Sequence, residues 1–184
     1  VLPVNDAPII ASLADTSISE NTVYQMSLQL SDVDTGEVFL LFASSSDPKL
    51  AVAANPEDSS ITAIPDADWH GFSDVTIILS DGEMRDTTSF RLTVDPVNDS
   101  PFIADIPDQS ISEDQVGLFA FEVTDIDTGT TLILSAYTDT SSVTVFPNSD
   151  DFTISTLPDT NWHGSTDVTV IISDGLLTDT TISV

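Results

Sequence analysis

Apolar and polar residues alternate in short runs along the whole chain, a pattern that is typical of half-buried β-strands. Between residues 24 and 30 every second side chain is apolar, and residues 75–79 and 90–94 alternate in the same way. Gly, Pro, Asp and Asn separate these runs, as they do at turns. No window has a useful length of helical periodicity, so the pattern predicts an all-β protein.

Seven short strands account for the apolar runs of the first half of the chain. They are labelled A to G, and consecutive strands are expected to reverse direction. The predicted strands are A (8–18), B (22–30), C (37–43), D (49–54), E (59–64), F (74–80) and G (86–95).

The whole pattern occurs twice. Trp69 and Trp162, like Asp81 and Asp174, are 93 residues apart, and no insertion is needed anywhere between the two copies. Such periodicity indicates a repeated module. Seven strands in each module predict two tandem immunoglobulin-like Greek-key β-sandwiches. A jelly roll over the whole chain and a β-solenoid are the runner-up architectures, but each copy carries its own strand set. The predicted modules are residues 1–97, with 1–7 as a leading linker, and residues 98–184, with a truncated last strand.

The charge of the chain is extreme, with 31 acidic residues against 3 basic ones and a net charge of −28. A polyanion of this kind is not expected to bind nucleic acid or an anionic membrane. Bound cations or a salty environment would offset the charge. The chain has no cysteine, which excludes disulfides and thiolate metal sites, and it has no apolar run long enough to predict membrane insertion.

Strand alternation places the acidic loops at the two ends of each module. The B–C loop with Asp32 and Asp34 and the F–G loop with Asp81 are predicted to share the N-terminal end. The A–B turn with Glu20 and the E–F loop are predicted to share the opposite end.

A seam of eight residues, 94–101, joins the two modules, and the same phrase opens the chain at residues 1–8. Its two prolines hold the backbone extended around Asn98 and Asp99. If the modules stack end to end, acids from both modules meet at this seam. Calcium suits such a cluster because it takes six to eight oxygen ligands, whereas magnesium is more demanding and zinc or copper favours histidine or cysteine. The candidate calcium ligands are Glu20, Asp66, Asp68, Asn98, Asp99, Asp125, Asp127 and Asp174 at the central seam, Asn5, Asp6, Asp32, Asp34 and Asp81 in a partial site at the N-terminal end, and Glu113 and Asp159 in a partial site at the C-terminal end.

Four short motifs, found in the same order in both copies, resemble those of cadherins and of the bacterial cadherin-like tandem repeats in large secreted adhesins. The resemblance implies cadherin-like β-sandwiches with calcium between them. It also implies that the Glu near the end of strand A, the Asn-Asp linker, the Asp-x-Asp of the B–C loop and the Asp of the F–G loop are ligands. The E–F loop departs from the pattern, because it lacks the Asp-Arg-Glu phrase of animal cadherins. The motifs are Asn-Asp-x-Pro (98–101), Ser-x-Ser-Glu-Asn/Asp (17–21 and 110–114), Asp-x-Asp-Thr-Gly (32–36 and 125–129) and Ser-Asp-Gly (80–82 and 173–175).

The function that follows is a calcium-binding, calcium-rigidified extracellular adhesion or stalk module of a larger repeat protein, secreted or at the cell surface. Its expected partners are neighbouring repeats of the same chain, with homophilic contacts or cell-surface glycans as further candidates. Two alternatives stay open: a calcium-dependent carbohydrate-binding module, and a salt-adapted acidic spacer without specific calcium.

The phrase Trp-His-Gly occurs at 69–71 and again at 162–164. One histidine in each module is too little for a zinc site, and no Ser-His-Asp constellation is evident. Paired carboxylates could indicate a glycosidase, but here they lie in loops without a cleft-building insertion. We therefore interpret the tryptophan as a packing residue and predict no enzymatic activity, although an exposed Trp69 or Trp162 could stack on a sugar ring.

Overall fold

The computed structural model describes residues 4–34, 36 and 38–183. The chain divides into two compact units, unit 1 (Val1–Val97) and unit 2 (Asn98–Val184). Every regular element in the described residues is a β-strand, which confirms the all-β prediction. Among those residues no helix is long and apolar enough to cross a membrane.

Unit 1 is a sandwich of two main sheets. One sheet has the strand order β2-β9-β8-β5, the other has the order β3-β7-β6, and β1 pairs with β4 beside them. The only parallel pairing in the described part of unit 1 joins β2 to β9. The strands are β1 (Ile9–Ile10), β2 (Thr16–Ser19), β3 (Tyr24–Ser27), β4 (Leu30–Ser31), β5 (Leu40–Ser45), β6 (Leu50–Asn55), β7 (Ser60–Pro65), β8 (Gly71–Ser80) and β9 (Arg85–Asp95).

Alternation along β8 and β9 builds the core of unit 1. Val75, Ile77 and Leu79 are 0% exposed on β8, and the alternate residues Phe90, Leu92 and Val94 of β9 are 3%, 0% and 1% exposed. Residues of β6 and β7 meet them from the facing sheet. Each fully buried Val, Leu or Ile stabilises the fold by about 1.5–3 kcal/mol, so the two-residue period of the sequence fixes which side of each strand faces inward.

The sequence pattern predicts strands C to G within a few residues of their observed positions, but the prediction of A and B as single strands was wrong. β1 pairs antiparallel with β4, whereas β2 pairs parallel with β9 in the other sheet. The first strand therefore changes sheets across residues 11–15, and strand B is interrupted at residues 28 and 29. Alternation reports which face is buried and not which strand is the partner, so it gave no sign of this change. Glu37, the first residue of predicted strand C, lies outside the described residues.

Unit 2 repeats the arrangement with sheets β11-β15-β14 and β13-β16-β17 and the pair β10-β12. Its core is built around Ile103, Leu134, Ile154, Val170 and Ile172. The strands are β10 (Phe102–Ile103), β11 (Gly117–Ala120), β12 (Val123–Thr124), β13 (Ile133–Thr138), β14 (Val143–Asn148), β15 (Thr153–Pro158), β16 (Val168–Ser173) and β17 (Thr178–Ser183).

One strand of unit 1 has no equivalent in the described part of unit 2. Residues 109–112 correspond to β2, yet they form no strand and are exposed. In unit 1 the partner of β2 is the segment Leu92–Asp95. Among the described residues of unit 2, residues 109–112 belong to no sheet.

Candidate metal-binding ends of the two units

Three segments meet at the N-terminal end of unit 2: the Asn-Asp pair, the B–C loop after β12 and the F–G turn after β16. The side-chain amide of Asn98 donates to Asp174 Oδ2 at 2.7 Å. The backbone N–H of Asp99 donates to Asp127 Oδ2, also at 2.7 Å. Hydrogen bonds thus bring together the segments that strand alternation predicted to share an end.

The B–C loop of unit 2 is held by its own side chains. Asp125 Oδ1 accepts the N–H of Asp127 at 2.9 Å, which closes a short Asx turn. The hydroxyl of Thr130 donates to Asp127 O at 2.9 Å and lies 3.3 Å from Asp125 Oδ2. Hydrogen bonds within the loop therefore hold both carboxylates, and Asp127 is bonded to the Asn-Asp pair as well.

The F–G turn presents Asp174 as an anion. Its Oδ1 accepts the N–H groups of Leu176 and Leu177, each at 2.6 Å. Gly175 has a φ of +97°, a backbone conformation that residues other than glycine rarely adopt. The Leu177 N–H, the Asn98 amide and the Leu176 N–H together hold the pKa of the Asp174 carboxyl below its ordinary value.

Replacing Asn98 by Ala should raise the pKa of Asp174, because it removes one of the donors that favour the anion. The pKa should stay below the ordinary value, since the Leu177 N–H remains. A pKa that is lower in the folded state contributes stability that is complete above the unfolded value of about 3.9 and is lost as pH falls through the folded value. Carboxyl carbon NMR of the calcium-free protein during acid titration measures this shift.

A matched variant in unit 1 serves as the control for that titration. Asn5→Ala should leave the pKa of Asp174 unchanged and should raise that of Asp81, whose pKa is lowered by the Met84 N–H first and by the Asn5 amide next. If Asp174 titrates identically in the parent protein and in Asn98→Ala, the assigned role of the Asn98 amide is wrong.

The N-terminal end of unit 1 has the same contacts 93 residues earlier in the chain. The Asn5 amide donates to Asp81 Oδ2 at 2.9 Å, and the Asp6 N–H donates to Asp34 Oδ2 at 2.8 Å. Asp32 Oδ1 accepts the N–H of Asp34 at 3.0 Å. All five candidate ligands predicted for this end therefore lie on segments that hydrogen bonds join.

One oxygen in this cluster lacks a partner. Asp32 Oδ2 is buried and makes no hydrogen bond within the described residues. A buried polar atom without a partner costs about 1–3 kcal/mol. A hard cation would satisfy it, and carboxylate and amide oxygens are the ligands that calcium takes. The residues present therefore fit calcium in chemical type.

The side chains do not form a finished cage as they stand. Across the described residues, no three His, Cys, Asp or Glu side chains converge in a way that could hold a metal ion. Instead, the carboxylates accept hydrogen bonds from backbone N–H groups and from side-chain amides. A cation at either N-terminal end would have to draw these carboxylates closer together.

At the C-terminal end of unit 1, Glu20 is 4% exposed, a low value for a carboxylate. Its N–H donates to Asp95 O at 2.9 Å, and its Oε1 accepts the N–H of Val97 at 2.5 Å. His70 Nδ1 lies 3.9 Å from Glu20 Oε2. Glu20 thus joins the turn after β2 to the chain that leaves β9.

The E–F loop reaches the same end of unit 1. Asn21 and Asp68 bond reciprocally: the Asn21 amide donates to Asp68 Oδ1 at 2.9 Å, and the Asp68 N–H donates to Asn21 Oδ1 at 3.0 Å. Both residues have positive φ, 60° and 55°, which Asn and Asp tolerate better than most. Asp66 is exposed and is held through its N–H by Lys49 O at 2.7 Å. The prediction that one central site combines these residues with Asn98 and its neighbours stays a prediction.

The C-terminal end of unit 2 keeps some of these contacts and differs in others. Glu113 is exposed, whereas its equivalent Glu20 is buried. Asp159 is fixed through its N–H, which donates to Ser142 O at 2.8 Å. The Asn161 N–H donates to Asp114 Oδ1 at 2.8 Å, so one of the two bonds between Asn21 and Asp68 has a counterpart here.

Sequence reasoning missed three residues at the module ends. Asn21 was not assigned to the Glu20 end, and the two repeat equivalents Asp86 and Asp179 were not assigned at all. Asp86 Oδ2 accepts the N–H of Ile10 at 2.9 Å, and Asp179 Oδ2 accepts that of Ile103 at the same distance. The available signal was the recurrence of the aspartate of position 86 at position 179, 93 residues later.

Trp69 is a packing residue, as the sequence predicts. Its ring packs against the core of unit 1. A Cβ on Gly71 would lie 3.2 Å from Trp69 Cζ2, so the glycine lets the ring lie over the backbone.

Replacing Glu20 by Ala should lower the free energy of unfolding of unit 1 by about 2 kcal/mol, since Val97 loses the partner of its N–H. Glu113→Ala should change unit 2 by less than about 0.5 kcal/mol, because Glu113 is exposed. Each unit has one tryptophan, so fluorescence in a Trp162→Phe background follows unit 1 and in a Trp69→Phe background follows unit 2. If Glu20→Ala and Glu113→Ala lowered the free energy of unfolding equally, the structural difference between Glu20 and Glu113 would be contradicted.

Comparisons with known proteins support the fold. Residues 5–95 match the family described as Bacterial Ig domain. Human protocadherin-24 EC1-2 is similar with a TM-score of 0.57 at 16% identity, over 98% of this chain and 95% of that one. Mouse cadherin-23 EC22-24 has a TM-score of 0.55 at 19% identity, over 96% of this chain and 62% of that one. At such identities the likeness shows the fold alone.

A weaker likeness is to an endo-fucoidan hydrolase of glycoside hydrolase family 107. It has a TM-score of 0.42 at 18% identity and covers 96% of this chain but 28% of the hydrolase chain. A likeness with so low a TM-score carries no information about the activity of the chain. No curated protein matches the chain.

Proposed function

Because residues 5–95 match the bacterial Ig domain family and the fold is cadherin-like, we propose that the chain is a calcium-binding module of an extracellular repeat protein. Its role is that of a stalk or adhesion segment that calcium makes rigid. The observation that carries the proposal is the shared construction of the two N-terminal ends. In each unit an Asn-Asp pair is hydrogen-bonded to carboxylates from two loops.

The residues that would hold calcium in unit 2 are Asn98, Asp99, Asp125, Asp127 and Asp174. Calcium would neutralise the carboxylates and hold the three segments together. Two observations favour a cation over plain solvation: the orphaned oxygen of the equivalent site in unit 1 and the lowered pKa of both F–G aspartates. The net charge of −28 adds a general attraction for cations.

Rigidity would come from residues 95–100. Val97 is bonded to Glu20 in unit 1, and Asn98, the next residue in the chain, is bonded to Asp174 in unit 2. Fixing both bonded residues leaves few backbone dihedrals free between them. Calcium at 100 times its dissociation constant would add about 2.7 kcal/mol to the stability of the site that binds it.

The proposed location is secreted or at the cell surface, where millimolar calcium is expected. The proposed partners are neighbouring repeats of the same chain, with homophilic or glycan contacts as further candidates. The alternative function is an acidic spacer that has no specific calcium site. Scattering in the presence and absence of calcium distinguishes the two functions.

Small-angle X-ray scattering of the chain in calcium and in chelator tests the function. We expect calcium to narrow the distribution of interatomic distances and to sharpen its outer limit, because the two units sample fewer orientations. The variant Asp125→Asn/Asp127→Asn should scatter alike in both conditions and should match the parent protein in chelator. A parent protein whose scattering is independent of calcium at constant ionic strength would rule out rigidification and favour the spacer.

A further inference from the structure

The dipeptide Asp-Gly occurs twice in the chain, at 81–82 and at 174–175, and both copies lie in the F–G turns. Asp-Gly is a chemically labile pair. Glycine has no Cβ beside its nitrogen, so that nitrogen can approach and attack the side-chain carboxyl of the preceding aspartate. The two turns are therefore the places where a spontaneous rearrangement of the backbone is expected first.

This rearrangement converts aspartate into isoaspartate. The nitrogen of Gly175 forms a bond to Asp174 Cγ, and the carboxyl OH leaves as water together with the amide proton, which gives a five-membered succinimide. Water then adds to one of the two ring carbonyls. Addition at the main-chain carbonyl breaks its bond to the nitrogen and leaves the backbone running through Cγ, whereas addition at Cγ restores aspartate. The water that was released is taken up again, so no co-reactant is needed.

In the folded chain a serine holds the attacking nitrogen. The N–H of Gly175 donates to Ser173 Oγ at 3.1 Å. The same hydroxyl donates to Leu177 O at 3.1 Å, which fixes its direction. For attack, the peptide between Asp174 and Gly175 has to turn its nitrogen towards the carboxyl. That rotation breaks the bond to Ser173.

Other donors hold the carboxyl group. Asp174 Oδ1 accepts the N–H groups of Leu176 and Leu177, each at 2.6 Å. Asp174 Oδ2 accepts the side-chain amide of Asn98 at 2.7 Å. Both oxygens are thus bonded to groups other than the nitrogen of Gly175, and Cγ can take up the position for attack only when these bonds open.

The F–G turn of unit 1 has the same bonds. The N–H of Gly82 donates to Ser80 Oγ at 3.1 Å, and this hydroxyl donates to Met84 O at 2.8 Å. Asp81 Oδ1 accepts the N–H of Met84 at 2.7 Å, and its Oδ2 accepts the Asn5 amide. Because the whole set recurs after 93 residues, the serine is part of the turn in both units.

We propose that Asp81 and Asp174 are sites of covalent modification by isomerisation to isoaspartate, and that Ser80 and Ser173 slow this reaction in the folded chain by holding the glycine nitrogens. The product has one more carbon in the backbone of the turn and carries its carboxylate directly on Cα. Its carboxylate can no longer accept the same N–H groups. The calcium site proposed above would be lost with the turn.

The test ages the full chain at physiological temperature in chelator and measures isoaspartate by peptide mass spectrometry. Ser173→Ala should speed the isomerisation of Asp174 about fivefold, since the loss of one hydrogen bond raises the share of turns that are free to react by about that factor. Asp81 in the same molecule should isomerise at the rate of the parent protein, because Ser80 is intact. Ser80→Ala should give the reverse pattern.

Two further variants separate the hydroxyl from a general loosening of the turn. Ser173→Thr keeps a hydroxyl and should isomerise at the rate of the parent protein. Asn98→Ala frees one carboxyl oxygen but leaves the N–H of Gly175 bonded, so it should speed the reaction less than Ser173→Ala. Amide hydrogen exchange at Ile172, which is 0% exposed, reports that the core of unit 2 is intact in every variant.

Four outcomes would overturn the proposal. Equal rates at Asp174 in Ser173→Ala and in the parent protein would mean that the serine does not protect the turn. Acceleration at Asp81 as well would mean that the effect is not local, and equal acceleration by Asn98→Ala would mean that the nitrogen is not the group that matters. Absence of isoaspartate at Asp174 even in the urea-unfolded chain would mean that it is no modification site. Because every measurement is made in chelator, this inference and the calcium proposal can fail separately.

Discussion

Replacing Leu92 by Ala is expected to lower the free energy of unfolding of unit 1 by about 3 kcal/mol, within the range measured for leucines in well-packed cores. Leu92 is 0% exposed, and its strand lies between β2 and β8. The substitution removes apolar burial and leaves a cavity that the two flanking strands cannot close without losing their pairing. Urea denaturation followed by Trp69 fluorescence in the Trp162→Phe background measures the loss.

Leu118→Ala is the matched control for this prediction. Leu118 is 67% exposed on β11, so the same chemical change should alter the stability of unit 2 by less than about 0.5 kcal/mol. A loss below about 1 kcal/mol for Leu92→Ala would mean that the last strand contributes little to the core of unit 1.

Replacing Asp174 by Asn is expected to weaken calcium binding at the proposed site of unit 2 by about tenfold or more. The change removes a carboxylate whose low pKa keeps it charged, and it leaves an amide oxygen that can still hold the turn. In isothermal titration calorimetry, binding at the proposed calcium site of unit 2 should then be lost, while binding at the proposed site of unit 1, where Asp81 is intact, should remain.

The control for this titration is Asp167→Asn, which changes the net charge equally. Asp167 is exposed just before β16, at the opposite end of unit 2 from the F–G turn. We expect its calcium isotherm to match that of the parent protein. If both variants weaken binding alike, general charge attraction rather than a defined site accounts for it, and if neither does, the F–G aspartate is not a ligand.

Much of the architecture was predictable because burial and turn chemistry leave local marks. Alternation placed Val75, Ile77 and Leu79 in the core, and Gly175 with the acid before it marked the F–G turn. Strand reversal then put the B–C and F–G loops at one end. These inferences need only the period of the chain and the direction of each strand, and both can be read from the sequence.

Other features depended on partners that are distant in the sequence. Nothing around residues 11–15 reveals that the first strand leaves one sheet for the other, because this depends on the neighbouring β9. The two glutamates Glu20 and Glu113 occur in the same motif, yet only the first is buried. Their difference comes from a pairing segment 75 residues away from Glu20 in unit 1, at Asp95. Whether the carboxylates bind calcium depends on how closely they can approach one another, and no local sequence pattern encodes that distance.

The parallel pairing of β2 with β9 has a mechanical consequence. Tension applied through the two ends of unit 1 would pull β2 and β9 in opposite directions along their common axis. The backbone bonds over Thr16–Ser19 would then be loaded in shear and would have to rupture together instead of peeling apart one by one.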